Sequence, residues 1–454
     1  VPALGRAGWR RLLPGWRHPA RIVVTAFAVA ILAGTLLLTL PAATADGHPA
    51  DLVTALFTAT SAVCVTGLVV VDTPDYWSAF GEVVILGLIQ IGGLGIMTLA
   101  SLLGLLIARR LGLRLQLTAQ AETKALGLGE VRRVVSGVVT VSLLFEAVTA
   151  VVLTLRLALG HHYTWPDALY HGVFHAVSAF NNAGFALYSD SLVRFATDPW
   201  ISLTVALAVI AGGLGFPVWL ELWRHRRGRR HWSLHAKITL LVIGMLLVIG
   251  TVAIIAAEWT NPRTLGALDP GERLLAGFFT AVMTRTAGFN SVDIGQLEPG
   301  TLLVHDILMF IGGGSASTAG GIKVTTFALL AFVILAEVRG EPTVHVMGRR
   351  LPAAVQRQAL TVALLSVGAV VAGTLALLTL TPHDLDETLF EAVSAFGTVG
   401  LSTGITADLP TAGRLVLVAL MFVGRLGPIT LASALALRDR TRRYELPEER
   451  PIVG

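Results

Sequence analysis

Cysteine is nearly absent. Cys64 stands alone among 454 residues, so no intrachain disulfide framework exists and cysteine usage says nothing about redox compartment. Charge is scarce as well, at 14% of residues, where soluble domains carry about a quarter. Ser/His/Asp, Cys/His and paired-carboxylate constellations do not stand out, and no ATPase domain is recognisable. What fills the space is apolar: 54% of residues are hydrophobic and the mean hydropathy is +0.73.

The apolar residues are gathered into runs of membrane-spanning length. These are Ile22–Leu40, Val83–Ile107, Val134–Leu157, Ile201–Leu222, Ile238–Ala257, Val362–Leu380 and Leu415–Leu437. Each reaches or approaches the roughly 20 residues a helix needs to cross a bilayer. A soluble protein would have to cover about eight nearly uncharged core helices with polar surface it does not possess. The N-terminal run follows arginines and ends near Ala42–Ala45, imitating a signal peptide. Its length, Pro41 and Asp46 read better as a first span.

The net charge of +5 could suggest nucleic acid, but its distribution excludes that reading. Five basic clusters, Arg6–Arg21, Arg109–Arg133, Arg224–Lys237, Arg339–Arg357 and Arg438–Arg450, hold 26 of the 34 Lys and Arg residues. The segments between them, such as Asp46–Asp75, Asp190–Asp198, Glu258–Glu272 and Asp384–Glu387, are comparatively acidic. Lys and Arg remain on the cytoplasmic side of a membrane. Each stretch between clusters must therefore cross an even number of times. Two crossings each give eight spans with both termini in the cytoplasm, and the clusters serve as topology determinants and contacts to anionic lipid.

Each of these stretches repeats one plan: span, short amphipathic segment, glycine turn, span. The equivalent segments are Phe57–Leu68 (FTATSAVCVTGL), Phe174–Phe185 (FHAVSAFNNAGF), Phe278–Phe289 (FFTAVMTRTAGF) and Phe390–Leu401 (FEAVSAFGTVGL). A Phe lies ten residues before Gly67, Gly184, Gly288 and Gly400, and Leu or Phe follows each of these glycines. Ten residues are too few to cross, so each segment enters the membrane as a helix and stops. Non-helical backbone at that depth is tolerated only where protein buries it or it lines an aqueous cavity. Glycine admits positive φ and lets carbonyls turn toward an axis. Four such turns would form a carbonyl ring in which a cation sheds its hydration shell; packing turns left by duplication without a pore are the alternative.

These repeats resemble those of the TrkH/KtrB superfamily of potassium transporters, over essentially the whole chain. Thr398-Val399-Gly400 is most similar to the Thr-Val-Gly filter loop of tetrameric potassium channels. Val65-Thr66-Gly67, Asn182-Ala183-Gly184 and Thr286-Ala287-Gly288 are looser versions, and no repeat has the second glycine of the channel signature. The resemblance implies an all-α membrane protein of four pseudo-symmetric repeats around an ion pore, with a single potassium site at the filter glycines. It assigns 1–21 to a cytoplasmic N-terminus, 22–108, 131–223, 235–338 and 352–437 to repeats one to four, and 438–454 to a cytoplasmic C-terminus. Length and span count look most like the KtrB branch. That likeness implies a homodimer on a cytosolic KtrA-like ring binding ATP, ADP or NAD, with potassium as permeant ion and sodium as an activator; this chain itself binds no cofactor.

The third repeat breaks its own second span. IGGGSASTAGGIK interrupts from Ile311 to Lys323, with five glycines at Gly312, Gly313, Gly314, Gly320 and Gly321, each costing a helix about 1 kcal/mol against alanine. A phosphate-binding P-loop is excluded because Ile322 precedes Lys323 and no strand leads in. A plain hinge is one reading. The resemblance implies another, an intramembrane gate at 312–321 including Ser315, Ser317 and Thr318, closed by Lys323 and facing Arg425 of the last span. A cation in mid-membrane is a functional-site hypothesis by default. The resemblance implies that Arg425 lies on the cytoplasmic side of the filter, where its fixed charge raises the barrier for an outgoing cation. A salt bridge to Glu391 or another buried acid is the other reading, and the two roles are compatible.

Other polar residues carry less. Arg285 precedes the third triplet and is read as bracing it from outside. Glu82 and Glu146 are candidate partners for the buried cations. His171 and His175, four apart, have metal-binding spacing but lack nearby carboxylates or cysteines and read as packing residues; His161-His162 reads as an exposed pair. Ser315 and Ser317 have no base at nucleophile-activating spacing, so an intramembrane enzyme is not expected. An ion-coupled transporter with alternating access is the alternative function, but its repeats are commonly inverted whereas these all run one way.

Overall fold

The computed structural model describes residues 19–116, 128–224 and 232–437, with backbone alone at 19–22, 102–116, 128–131 and 428–437. The terminal segments 1–18 and 438–454, and much of the basic clusters, lie outside the described residues. The chain is a mostly helical membrane protein with several apolar spans.

Helices α1 (Pro19–Leu38), α2 (Leu52–Val63), α3 (Thr73–Tyr76) and α4 (Ala79–Gln116) come first. They are followed by α5 (Leu128–Gly160), α6 (Trp165–Phe180), α7 (Pro199–Leu214) and α8 (Phe216–Arg224). Next are α9 (Leu234–Glu258), α10 (Pro270–Met283), α11 (Pro299–Ile311) and α12 (Val324–Val338). The last are α13 (Ala353–Leu380), α14 (Leu385–Gly397) and α15 (Thr411–Leu437). Among the described residues, Ala79–Ser101, Arg132–Gly160, Leu234–Glu258 and Ala353–Leu380 are long and apolar enough to cross a membrane. Their outer faces expose large aliphatic side chains at helical spacing, as at Leu144, Val148 and Val151 on α5 and Val248 and Val252 on α9. Water would not tolerate such stripes, but lipid does.

The short helices α2, α6, α10 and α14 are the segments that sequence periodicity marks as too short to cross. Three of the four carry side-chain capping at the acidic end. Asp51 accepts from Val53 N and Thr54 N (3.0 and 3.2 Å), Thr164 from Asp167 N (3.4 Å), and Asp269 forms a capping box with Glu272. Such caps satisfy amide groups that a helix start leaves free. Phe57, Phe174 and Phe390 and the residues after the turn, Leu68, Phe185, Phe289 and Leu401, are buried; this burial is why the motif demands them. The bundle closes on itself, because α15 packs against both α1 and α2.

Two features depart from the sequence reading. The run Ile201–Leu222 is not one straight span: α7 and α8 meet at 93°. Gly215 has φ +89°, and Pro217 lacks the amide that would continue the ladder. The chain is also not wholly α: His345–Val346 (β1) pairs with Arg349–Arg350 (β2). Met347 and Gly348 between them both have positive φ, the signature of a two-residue I′ hairpin turn.

Candidate functional site: four turns and the loop beneath them

Each short helix delivers its C-terminus to one triplet. The first residue of each, Val65, Asn182, Thr286 and Thr398, has φ of 57°, 59°, 71° and 49°. The glycines Gly67, Gly184, Gly288 and Gly400 have φ of 91°, 72°, 69° and 94°. The middle residues Thr66, Ala183, Ala287 and Val399 stay outside that region. Successive residues of alternating hand turn their carbonyls to the same side of the strand. Left-handed backbone at a non-glycine residue costs on the order of 1–3 kcal/mol and persists only where the surroundings enforce it. Here the middle amides do so by bonding back to the helix. Thr66 N donates to Ser61 O (2.7 Å), Ala183 N to Ser178 O (2.7 Å), Ala287 N to Met283 O (3.1 Å) and Val399 N to Ser394 O (2.9 Å). Ser61 Oγ and Ser394 Oγ also accept from Gly67 N and Gly400 N at 3.0 and 3.1 Å.

The turns abut one another in a closed cycle. A Cβ placed on Gly67 would lie 3.1 Å from Cα of Gly184, one on Gly184 3.0 Å from Gly288, one on Gly288 3.1 Å from Gly400, and one on Gly400 3.0 Å from Gly67. At each junction the hypothetical Cβ would also collide with the preceding carbonyl, those of Ala183, Ala287, Val399 and Thr66 in turn. Only glycine fits this ring, on both steric and conformational grounds. The C-terminal ends of four helices converge on it, and their carbonyl-rich termini favour a cation by the helix dipole.

The turns are held from behind by buried polar groups. Glu391 of α14 accepts from Ser402 Oγ (2.5 Å), Thr403 N (3.1 Å) and Thr406 Oγ1 (2.7 Å). Its counterpart on α6 is His175, whose Nε2 accepts from Leu187 N at 3.3 Å while Nδ1 meets His171 O at 2.7 Å. Both amides lie three residues beyond the glycine. Glu391 therefore does not pair with Arg425, because three local donors already occupy it. Glu146 and Glu82 also bond neutral partners rather than cations. Glu146 takes Gln90 Nε2 (3.0 and 3.1 Å) and Asn181 Nδ2 (3.1 Å), and Glu82 takes the Tyr170 hydroxyl. His171 and His175 stack with Tyr188, and no group of three metal-ligating side chains occurs among the described residues. His161 is not a free exposed residue: it bonds Asp198 at 2.8 Å, beside Arg156.

Directly against the ring lies the non-helical segment between α11 and α12, buried over most of its length. Gly312 (φ +60°) ends α11, and Gly321 (φ +64°) precedes Ile322, whose amide returns to Phe310 O at 3.2 Å. The broken end of α7 receives the middle of the loop, with Gly314 N donating to Gly213 O (2.8 Å) and Thr318 N to Gly212 O (3.3 Å). Carbonyls that a continuous helix would have consumed are thus free to bind the loop. GGLGFP at 212–217 is the sequence signal for this break, hidden inside an apolar run.

Thr318 also reaches the ring. Its hydroxyl lies 2.9 Å from the Asn182 amide, oriented so that nitrogen faces Thr318 Oγ1 and Phe180 O, since oxygen there would meet only acceptors. A Cβ on Gly320 would strike Thr398. Ser317 Oγ donates to Gly314 O (2.6 Å) and Ser315 Oγ meets Thr325 Oγ1 (2.9 Å), so both serines are loop staples. Lys323 Nζ caps the carbonyls of Ala319 and Gly320 (3.3 Å to the latter). Arg425 donates to Thr318 O, and Arg285 Nη2 to Gly312 O at 3.0 Å. The structure thus brings together all four triplets, the loop, Lys323 and Arg425.

Comparison with known proteins follows the same outline. Residues 10–441 match the TrkH family, described as cation transport protein. The chain is 39% identical over 427 residues to the Ktr system potassium uptake protein B of Bacillus subtilis, covering 94% of this chain and 95% of that one. It is 41% identical over 436 residues to the protein of the same name from Vibrio alginolyticus, covering 96% and 94%. With the potassium/sodium uptake protein NtpJ of Enterococcus hirae the identity is 35%, covering 96% and 97%. The fold is similar to the crystal structure of the potassium transporter TrkH from Vibrio parahaemolyticus, with TM-score 0.74 at 19% identity, covering 93% of this chain and 86% of that one. The chain belongs to the TrkH cation transport family, and is a transporter rather than an enzyme.

Proposed function

We propose that this chain takes up potassium across the cell membrane through the ring formed by its four triplets, with the 312–321 loop as gate. The cyclic contact of Gly67, Gly184, Gly288 and Gly400 carries this reading. Four backbone turns meeting glycine to glycine present carbonyl oxygens around one axis, and carbonyls replace a cation's water without a formal charge that would trap it. Val65, Thr66, Asn182, Ala183, Thr286, Ala287, Thr398 and Val399 supply the rest of the filter. Relatives named as potassium uptake proteins support potassium as the ion, and the potassium/sodium relative keeps sodium in view as second ion or activator.

Entry needs no ATPase, because a membrane potential supplies about 2.3 kcal/mol per 100 mV to a monovalent cation. In this reading the chain crosses the plasma membrane eight times with both termini in the cytoplasm. The loop blocks the path beneath the ring, and its contact with Arg425 places a fixed positive charge where an outgoing cation would pass. The relatives' place in a Ktr system supports partnering with other components of such a system. In this reading the chain is a homodimer on a cytosolic nucleotide-binding ring, which would move the loop.

Flux into liposomes containing the purified protein tests the proposal. Potassium and rubidium should enter several-fold faster than sodium. Equal rates for all three, or none despite correct insertion, would defeat it.

A further inference from the structure

We propose that Arg285 is a positioning residue that couples the third turn of the ring to the loop, so that removing its guanidinium loosens the loop without abolishing the ring. The inference rests on the reading of the loop as a gate.

The argument begins with an asymmetry among the repeats. In three of them the inner helix packs on the short helix through a glycine. A Cβ on Gly92, Gly212 or Gly424 would collide with the carbonyl oxygens of Val63, Phe180 and Phe396 respectively. Those carbonyls occupy one equivalent position, six residues after the motif phenylalanine. Such backbone contact leaves no freedom between helix and turn. The third repeat has no equivalent glycine contact, because α11 stops at Ile311.

Arg285 spans that gap. It immediately precedes Thr286, where the other repeats have Cys64, Asn181 and Gly397, none able to reach as far. Its Nη2 donates to Gly312 O at 3.0 Å, and Nη1 lies 3.5 Å from Ile243 O on α9. The residue is 7% exposed and has no ion pair among the described residues. A buried guanidinium directed only at main-chain carbonyls acts through hydrogen bonds, which break and re-form, where a glycine contact cannot yield. Gly312 is the left-handed residue at which the loop starts. Beside it, Arg285, Gly313, Val209, Ile243, Leu247 and Val282 border a cavity of about 20 Å³, so the hinge is not packed solid on this side.

The test uses the full chain in liposomes with Arg285→Met, Arg285→Lys and, separately, a deletion within 312–321. A second readout is the rate at which a cysteine at Ser315→Cys reacts with a thiol reagent, with the buried Cys64 of the parent as background. Arg285→Met should raise both potassium flux and labelling roughly tenfold, the scale of one charge-assisted hydrogen bond. Its potassium-to-sodium ratio should hold within about twofold, and Arg285→Lys should fall between it and the parent. Unchanged labelling overturns the coupling, whether flux is kept or lost, and so does a collapsed ion ratio. Wild-type behaviour of Arg285→Met beside a leaky deletion rejects the coupling alone; a deletion without effect rejects the gate reading itself.

Discussion

Arg425 of α15 donates a hydrogen bond to the carbonyl of Thr318, 107 residues earlier, at the centre of the loop under the ring. Its second nitrogen lies 3.5 Å from Gly92 O on α4. One side chain of the fourth repeat thus joins the loop of the third to the inner helix of the first. Arg425 is buried, and a hydrogen bond is electrostatically stronger in a protein interior than in water.

Removing this tie should release the loop. Arg425→Gln is expected to raise potassium flux roughly tenfold, as loss of a charge-assisted bond of about 1.5–3 kcal/mol would allow. Liposome flux at equal protein load measures it; a fall in flux with normal insertion would instead assign Arg425 to pore integrity.

Shortening the loop tests the same gate from the other side. Deletion of part of Gly312–Gly321 should give constitutive flux. Flux at the parental level, with unchanged thermal stability, would make the segment a hinge only.

The ring should not tolerate side chains. Gly400→Ser places a Cβ at φ +94°, against Gly67 Cα and the Thr66 carbonyl. Potassium-over-sodium selectivity should drop at least about tenfold, since ion preference depends on carbonyl placement. Gly67→Ser, Gly184→Ser and Gly288→Ser should act in the same direction, because each meets its neighbour in the same way. Unaltered uptake in all four variants would refute the filter assignment.

Glu391 should matter for folding more than for conduction. Glu391→Ala removes the acceptor shared by Ser402 Oγ, Thr403 N and Thr406 Oγ1. The two hydroxyls keep each other at 3.0 Å, but the half-buried Thr403 amide loses its partner, at a cost of about 1–3 kcal/mol. Thermal melting in detergent should fall by several degrees, and Glu391→Gln, which keeps an acceptor, should lose less.

Asp198, at the start of α7, offers a pH test. Burial pushes its carboxyl up, but bonds from His161, Arg156 and Trp200 N outweigh that and hold it below the ordinary value of 3.8. A depressed folded-state pKa contributes stability at pH above the unfolded value, lost as pH falls through the folded one. Asp198→Asn should therefore lower the melting temperature at neutral pH, and the gap to the parent should close only in strong acid. A gap independent of pH would show that the carboxylate charge is not what stabilises this end of the helix.

Much of this was legible in the residues themselves. Scarce charge and long apolar runs determine a membrane protein, because lipid admits only chains that satisfy their own backbone. The spacing from Phe57 to Gly67, repeated at Phe174, Phe278 and Phe390, determines four short helices ending in glycine turns, since ten residues cannot cross. Five glycines at 312–321 determine a break in the third inner helix. Tertiary structure alone decided who meets whom. That each glycine faces the next, that α7 bends at Gly215 and offers Gly212 and Gly213 carbonyls to the loop, and that Glu391 serves Ser402, Thr403 and Thr406 rather than Arg425 all depend on groups far apart in the chain. Local pattern records what a residue can bond to; only the packed bundle, by removing water, decides which partner is left for it.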